Sequence, residues 1–278
     1  MGTVEIKGHA GHPLRSFADW EAYALPPERK LKQWKRGRSE FELGRIWMDK
    51  GSPTVPQEVL QLLESHESTS ATVVRSGITQ HETTLPFGNR GPRCHDLALV
   101  ADHDGSTVTI CIEAKADESF GGTVAVELQS ARKRTPRTKF PDRLDWLTRS
   151  LLGIPAFADD ERHVLSGEIA SLPYQLFSAV GGTLLEAELQ GAIKAILVVH
   201  EFRTTLTTDT KIKLNAGALD GFLRLLLQAN GAGVETFQLQ SGQLFGPISI
   251  TKRSVAGTRQ MPDIPLFVGK IRTDRIAC

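Results

Sequence analysis

His95-Asp96-Leu97-Ala98-Leu99-Val100 and Thr107-Val108-Thr109-Ile110-Cys111-Ile112-Glu113-Ala114-Lys115-Ala116 flank the polar turn Ala101-Asp102-His103-Asp104-Gly105-Ser106. Two apolar runs joined across an Asp-Gly step predict an antiparallel hairpin. Period-2 alternation sets Val108, Ile110 and Ile112 on one face of the second strand and Cys111, Glu113 and Lys115 on the other. Pairing back from Asp104-Gly105 brings Asp96, near the far end of the first strand, close to Glu113 and Lys115. Two acids and a lysine therefore converge inside an otherwise apolar hairpin. Charges there are costly to bury unless they are paired or hold a metal.

Working outward, 278 residues with 40% hydrophobic content suffice for one elaborated α/β domain or two small ones. A net charge of +1 names no partner. Cys94, Cys111 and Cys278 are too few and too scattered for a disulfide framework, which favours a reducing compartment. No long apolar run suggests a membrane span, and Met1 to Trp20 lacks the basic-then-apolar pattern of a signal peptide. A soluble, cytoplasmic protein is expected. With no repeat, low-complexity tract or clear linker, the economical organisation is one domain. Residues 1–55 would form an N-terminal arm and helices packed on a core over 56–278 with a β-rich C-terminal extension.

An Asp followed on the next strand by Glu-x-Lys resembles the signature of the PD-(D/E)XK nuclease superfamily, the matching residues being Asp96, Glu113 and Lys115. His95 stands where that superfamily often has proline. The resemblance covers residues 57–200 or so and implies a restriction-endonuclease-like αβα core with a mixed central sheet and embellishments at both ends. It implies a metal-dependent phosphodiesterase, in the first instance a deoxyribonuclease. Asp96, Glu113 and the Ala114 carbonyl would hold Mg²⁺, with Mn²⁺ as substitute, and Lys115 would orient the attacking water. In relatives of this kind the helix before the core sheet sometimes adds a glutamate, which singles out Glu64, with Glu82 a second candidate. Some carry a glutamine on a later helix, for which Gln175 and Gln129 compete.

The rest of the chain supplies surfaces and scaffolding. Residues 29–38 hold six basic side chains and Trp34 without an acid. Lys35 and Arg36 are candidates for phosphate contacts, and Trp34 either stacks on a base or docks in the core. A second basic cluster, Arg132, Lys133, Arg134, Arg137, Lys139 and Arg143, follows the Glu-x-Lys strand and is the other candidate nucleic-acid surface. Helices are predicted over 17–23, 40–49, 56–66, 123–133, 143–152, 173–190 and 218–229. Strands are predicted over 71–79, 192–200, 234–239, 246–251 and 264–271. The pair Gly181-Gly182 inside a helix implies close packing or a kink.

No G-x-S-x-G, Walker A or convincing G-x-G-x-x-G supports a serine hydrolase, P-loop or dinucleotide reading. Cys94, His95, His103 and Cys111 lack zinc-ligand spacing. Three readings stand at this point: the nuclease, acting on DNA with a homodimer among the assemblies it allows; a catalytically silent nucleic-acid-binding module on the same fold, as in a defence or repair complex; and a protein whose Asp96, Glu113 and Lys115 are only an ion-pair lattice.

Overall fold

The computed structural model describes residues 4–87, 91–160, 162–253 and 258–275. Residues 88–90 and Cys278 lie outside that set. In chain order the elements are β1 (Glu5–Lys7), α1 (Phe17–Tyr23), α2 (Pro27–Gln33), α3 (Ser39–Trp47), α4 (Gln57–Glu64), β2 (Val73–Thr83), β3 (Arg93–His103) and β4 (Ser106–Lys115). They continue with α5 (Val124–Arg134), α6 (Phe140–Leu152), α7 (Gly167–Ser171), α8 (Tyr174–Leu189), β5 (Lys194–Arg203), α9 (Asp209–Ala229), β6 (Gln243–Ile248) and β7 (Leu266–Asp274).

Among the described residues the strands form one seven-stranded sheet, ordered β1-β2-β3-β4-β5-β7-β6. The hairpin at its centre is the one the sequence signals: Leu97 pairs with Ile112 and His103 with Ser106. Asp104 and Gly105 both take positive φ, 51° and 77°, the left-handed pair that a two-residue turn requires. β4 runs parallel to β5 and β5 to β7, whereas β2, β3 and β6 pair antiparallel with their neighbours β3, β4 and β7. The sheet is therefore mixed.

Helices cover both faces. On one, Leu128, Leu144, Phe177, Val180 and Phe222 of α5, α6, α8 and α9 pack against Cys111, Leu197 and Val199. On the other, Trp20, Leu43, Trp47 and Leu62 of α1, α3 and α4 pack against Leu97, Ile110, Ile112 and Val198. The fold is a three-layer αβα sandwich whose alternating strand residues feed two separate cores. Gly181 and Gly182 turn out to serve close packing. A Cβ on Gly181 would sit 2.7 Å from Leu147, and one on Gly182 would sit 2.8 Å from Arg93 Cγ and 3.0 Å from His95 Nε2.

Residues 234–239, expected to be a strand, are irregular: Val234 and Phe237 pack against the core of the α8 side without joining the sheet. Trp34 docks into an aromatic group with Phe17 and Phe41, ring centroids 5.5 and 5.2 Å away, so packing rather than stacking on a base occupies its faces. No helix among the described residues is long and apolar enough to cross a membrane.

Candidate active site

Alternation along β2 and β3 reverses at one point, and the site is built around that reversal. Thr79 donates to the Ala24 carbonyl on the α1 and α3 side of the sheet, yet His81 and Thr83, two and four residues on, both bond Glu186 of α8 on the opposite side. Between them Gln80 has φ 49°, an uncommon conformation for a non-glycine residue. The neighbouring β3 shows the same switch. Leu97 lies in the α1 and α3 layer, while Arg93 and His95 abut Gly182 of α8. Gln80 and Asp96 consequently turn toward α3.

There they meet Glu40, in the first turn of α3. Gln80 Nε2 donates to Glu40 Oε1 at 2.6 Å and to Asp96 Oδ1 at 3.4 Å, and the Ala114 N–H donates to Asp96 Oδ2 at 2.7 Å. Glu40 is 6% exposed. Burial first, then the neighbouring Asp96 and Glu118 carboxylates, push its pKa well above its ordinary value. Glu118, in the loop after β4, is raised too, chiefly by burial, although Ser39 donates to it. Three carboxylates are thus gathered in one corner. At least one must hold a proton or face a cation.

The opposite corner is cationic. Glu113 Oε1 accepts from Lys115 Nζ at 2.6 Å and from Gln175 Nε2, and Oε2 accepts from Arg93 Nη2. Lys115 Nζ also donates to the Ala114 carbonyl at 3.1 Å and lies 5.5 Å from the centre of the Phe120 ring. Burial lowers the pKa of both Lys115 and Arg93. His95 behind them is fully buried and held neutral, its pKa driven well down by burial and by Arg93 and His81. Both corners open into one cavity of about 540 Å³ bounded by Glu40, Asp96, Glu113, Lys115, Glu118, Tyr174 and Gln175 among others.

The sequence candidates divide accordingly. Asp96, Glu113, Ala114, Lys115 and Gln175 all line the cavity. Glu64 does not: it is exposed at the end of α4, a helix that packs on β6 and β7, and of the helices that precede the central hairpin it is α3 that brings a glutamate, Glu40, to the site. Glu82 and Gln129 are likewise exposed and outside the cavity wall. Of the basic clusters only Arg38 and Arg143 reach the cavity. Arg143 is buried and donates to the carbonyls of Pro86 and Gly91. Lys133, Arg134, Arg137 and Lys139 are exposed, Arg132 is half-buried on the Arg162 carbonyl, and Lys35 and Arg36 are exposed away from the cavity. The side chains of Arg29 and Lys32 lie outside the described set.

Sequence reasoning missed Glu40, Arg93, Glu118 and Tyr174. Cys111, whose thiol burial pushes up to about 12, is an inert core residue beside the site.

Mg²⁺ binds through one or two carboxylates and keeps several waters. Glu40 and Asp96, hard oxygen donors whose mutual repulsion raises the Glu40 pKa, fit such an ion, with Glu118 adjoining. Glu113 and the Ala114 carbonyl fit less directly, because cations already occupy them. Among the described residues no three His, Cys, Asp or Glu side chains converge on a single metal position as they stand.

The profile of a family described as a domain of unknown function, DUF6946, matches residues 13–275. The chain belongs to that family. Because the DUF6946 match spans α3 as well as β3, β4 and α8, the whole cavity falls inside the family domain. No curated protein and no solved structure matches the chain.

Proposed function

We propose that this DUF6946 protein is a metal-dependent phosphodiesterase that cleaves nucleic acid, in the first instance DNA. The observation that carries the reading is the buried Glu40 crowded by the half-buried Asp96 and by Glu118, set in one cavity with Lys115 and Arg93. Crowded carboxylates suit a divalent cation, and the cations facing them suit the anionic group that cation would share. The resemblance of Asp96, Glu113 and Lys115 to the PD-(D/E)XK signature supports the same assignment.

In this reading Glu40 and Asp96 hold Mg²⁺, which when bound supplies Lewis-acid polarisation of the phosphate and a more acidic water. Lys115, aimed by Glu113 and the Ala114 carbonyl, orients the attacking water and faces the charge that develops on phosphorus oxygens. Gln175 fixes Glu113 so that Lys115 keeps that aim. Water adds to phosphorus, the bond to the leaving sugar oxygen breaks, and that oxygen takes up a proton. Incubating purified protein with Mg²⁺ or Mn²⁺ and plasmid, linear duplex, single-stranded DNA or RNA tests this directly. Cleavage of none of them, by protein that is folded and metal-loaded, defeats the proposal.

One observation favours a second reading, a silent nucleic-acid-binding module: Arg93, Lys115 and Gln175 already satisfy Glu113. Nucleic-acid binding that ignores divalent ions altogether would select it.

A further inference from the structure

On the phosphodiesterase reading, we propose that Arg93 forms an anion subsite in the cavity wall, at which a phosphodiester draws the guanidinium off Glu113 and so frees that carboxylate to join the cation at Glu40 and Asp96. Arg93 is a positioning residue in this scheme, coupling anion binding to cation binding.

The geometry of its bonds is the starting point. Arg93 is 9% exposed, and its Nη2 donates to Glu113 while its Nε finds no partner among the described residues. A buried N–H without an acceptor is costly, so this group has a bond to give. The Nε and Nη2 hydrogens lie along one edge of the guanidinium, the fork that matches two phosphate oxygens side by side. Glu113 uses only half of that fork. A phosphodiester would use both halves, and it would do so next to Arg143 and Tyr174 in the same wall.

Space and charge allow the exchange. Gly182 of α8 presents no Cβ where one would press on Arg93 Cγ at 2.8 Å. If Arg93 leaves, Glu113 keeps Lys115 and Gln175 on Oε1, and Oε2 becomes available. A cation held by Glu40 and Asp96 in the carboxylate corner of the same cavity would take that oxygen as a further donor. Linkage then makes the effect reciprocal: anion and cation must each raise the other's affinity by the same factor.

The test is calorimetric titration of Ca²⁺ into the full chain, with and without saturating thymidine dinucleotide at constant ionic strength. In the wild type the dinucleotide raises Ca²⁺ affinity about tenfold, within the usual range of coupled sites. Arg93→Gln binds Ca²⁺ without dinucleotide about as tightly as wild type does with it, and the dinucleotide adds less than about twofold. Arg93→Lys, which keeps a charge against Glu113 but lacks the fork, retains only part of the coupling, and it carries the test should Arg93→Gln fail to fold. Full coupling in either variant, or no coupling in a wild type that binds both ligands, overturns the latch and leaves the phosphodiesterase reading standing. A wild type that binds neither Ca²⁺ nor dinucleotide overturns both.

Discussion

Replacing Glu40 with glutamine isolates the charge at the centre of the carboxylate corner. Glutamine has the same shape, can still accept the 2.6 Å bond from Gln80, and can offer its own N–H to Asp96. What disappears is the titration. Burial and the Asp96 and Glu118 charges raise the folded-state pKa of Glu40 above its ordinary 4.5, so the folded protein keeps this proton where the unfolded chain has lost it. The associated stability is complete below pH 4.5 and is lost as pH rises through the window up to the folded pKa. Within that window the loss runs at about 1.4 kcal/mol per pH unit.

The stability of Glu40→Gln minus that of wild type should therefore be near zero at pH 4, climb by about 1.4 kcal/mol per unit, and level off once Glu40 ionises in the folded protein. Urea denaturation from pH 4 to 8 in the presence of a chelator measures it, and titrating groups that do not interact with Glu40 cancel in the difference. At pH 8 a hundredfold excess of Mg²⁺ over its Kd should return about 2.7 kcal/mol to wild type and far less to the variant. A variant destabilised by the same amount at every pH would refute the reasoning, since Glu40 would then be a compensated anion.

Asp96→Asn, Glu113→Gln and Lys115→Met should each lower cleavage by a factor of about 10² or more while near-ultraviolet circular dichroism stays native, and full activity in any of them removes that residue from the chemistry. Replacing Arg132, Lys133, Arg134 and Arg137 together should weaken DNA binding for all sequences and flatten its salt dependence, as read by fluorescence anisotropy at several salt concentrations; an unchanged slope would make the cluster a solvated face. Gly182→Ala should cost about 1–3 kcal/mol in urea denaturation, because its Cβ meets Arg93 and His95 at or below 3.0 Å; a neutral change would mean that α8 shifts freely.

The central hairpin was legible because two independent local signals agreed, the Asp104-Gly105 turn and the alternation of β4. Glu113 and Lys115 followed from it, whereas Gln175 came only from the resemblance, with Gln129 competing for the same role. The direction of Asp96 was not legible: counted from Ala98, alternation puts it on the α8 side, and only the left-handed Gln80 across the ladder turns it toward α3. A left-handed glutamine in a strand has no sequence marker.

Glu40 did leave a signal. It stands three residues before Leu43 and seven before Trp47, both fully buried, and so belongs to the apolar stripe of α3. An acid on such a stripe needs a partner, whereas Glu64 lies off the apolar stripe of α4. The basic clusters misled because charge density along the chain says nothing about which end of a helix faces a cavity. α5 begins at the cavity and its arginines come at its far end, about 15 Å along the axis.

The origin of Glu40 in α3 has a consequence for the order in which a growing chain acquires the site. The ribosome releases α3 well before the hairpin against which it packs, and α8, which supplies Gln175, later still. No short segment of the polypeptide carries both cavity corners, because their members are spread from Glu40 to Gln175. A nascent or prematurely terminated chain that stops before α8 therefore lacks the clamp on Glu113, however much of its sheet has formed. On the phosphodiesterase reading proposed above, the cavity is therefore complete only once α8 has docked.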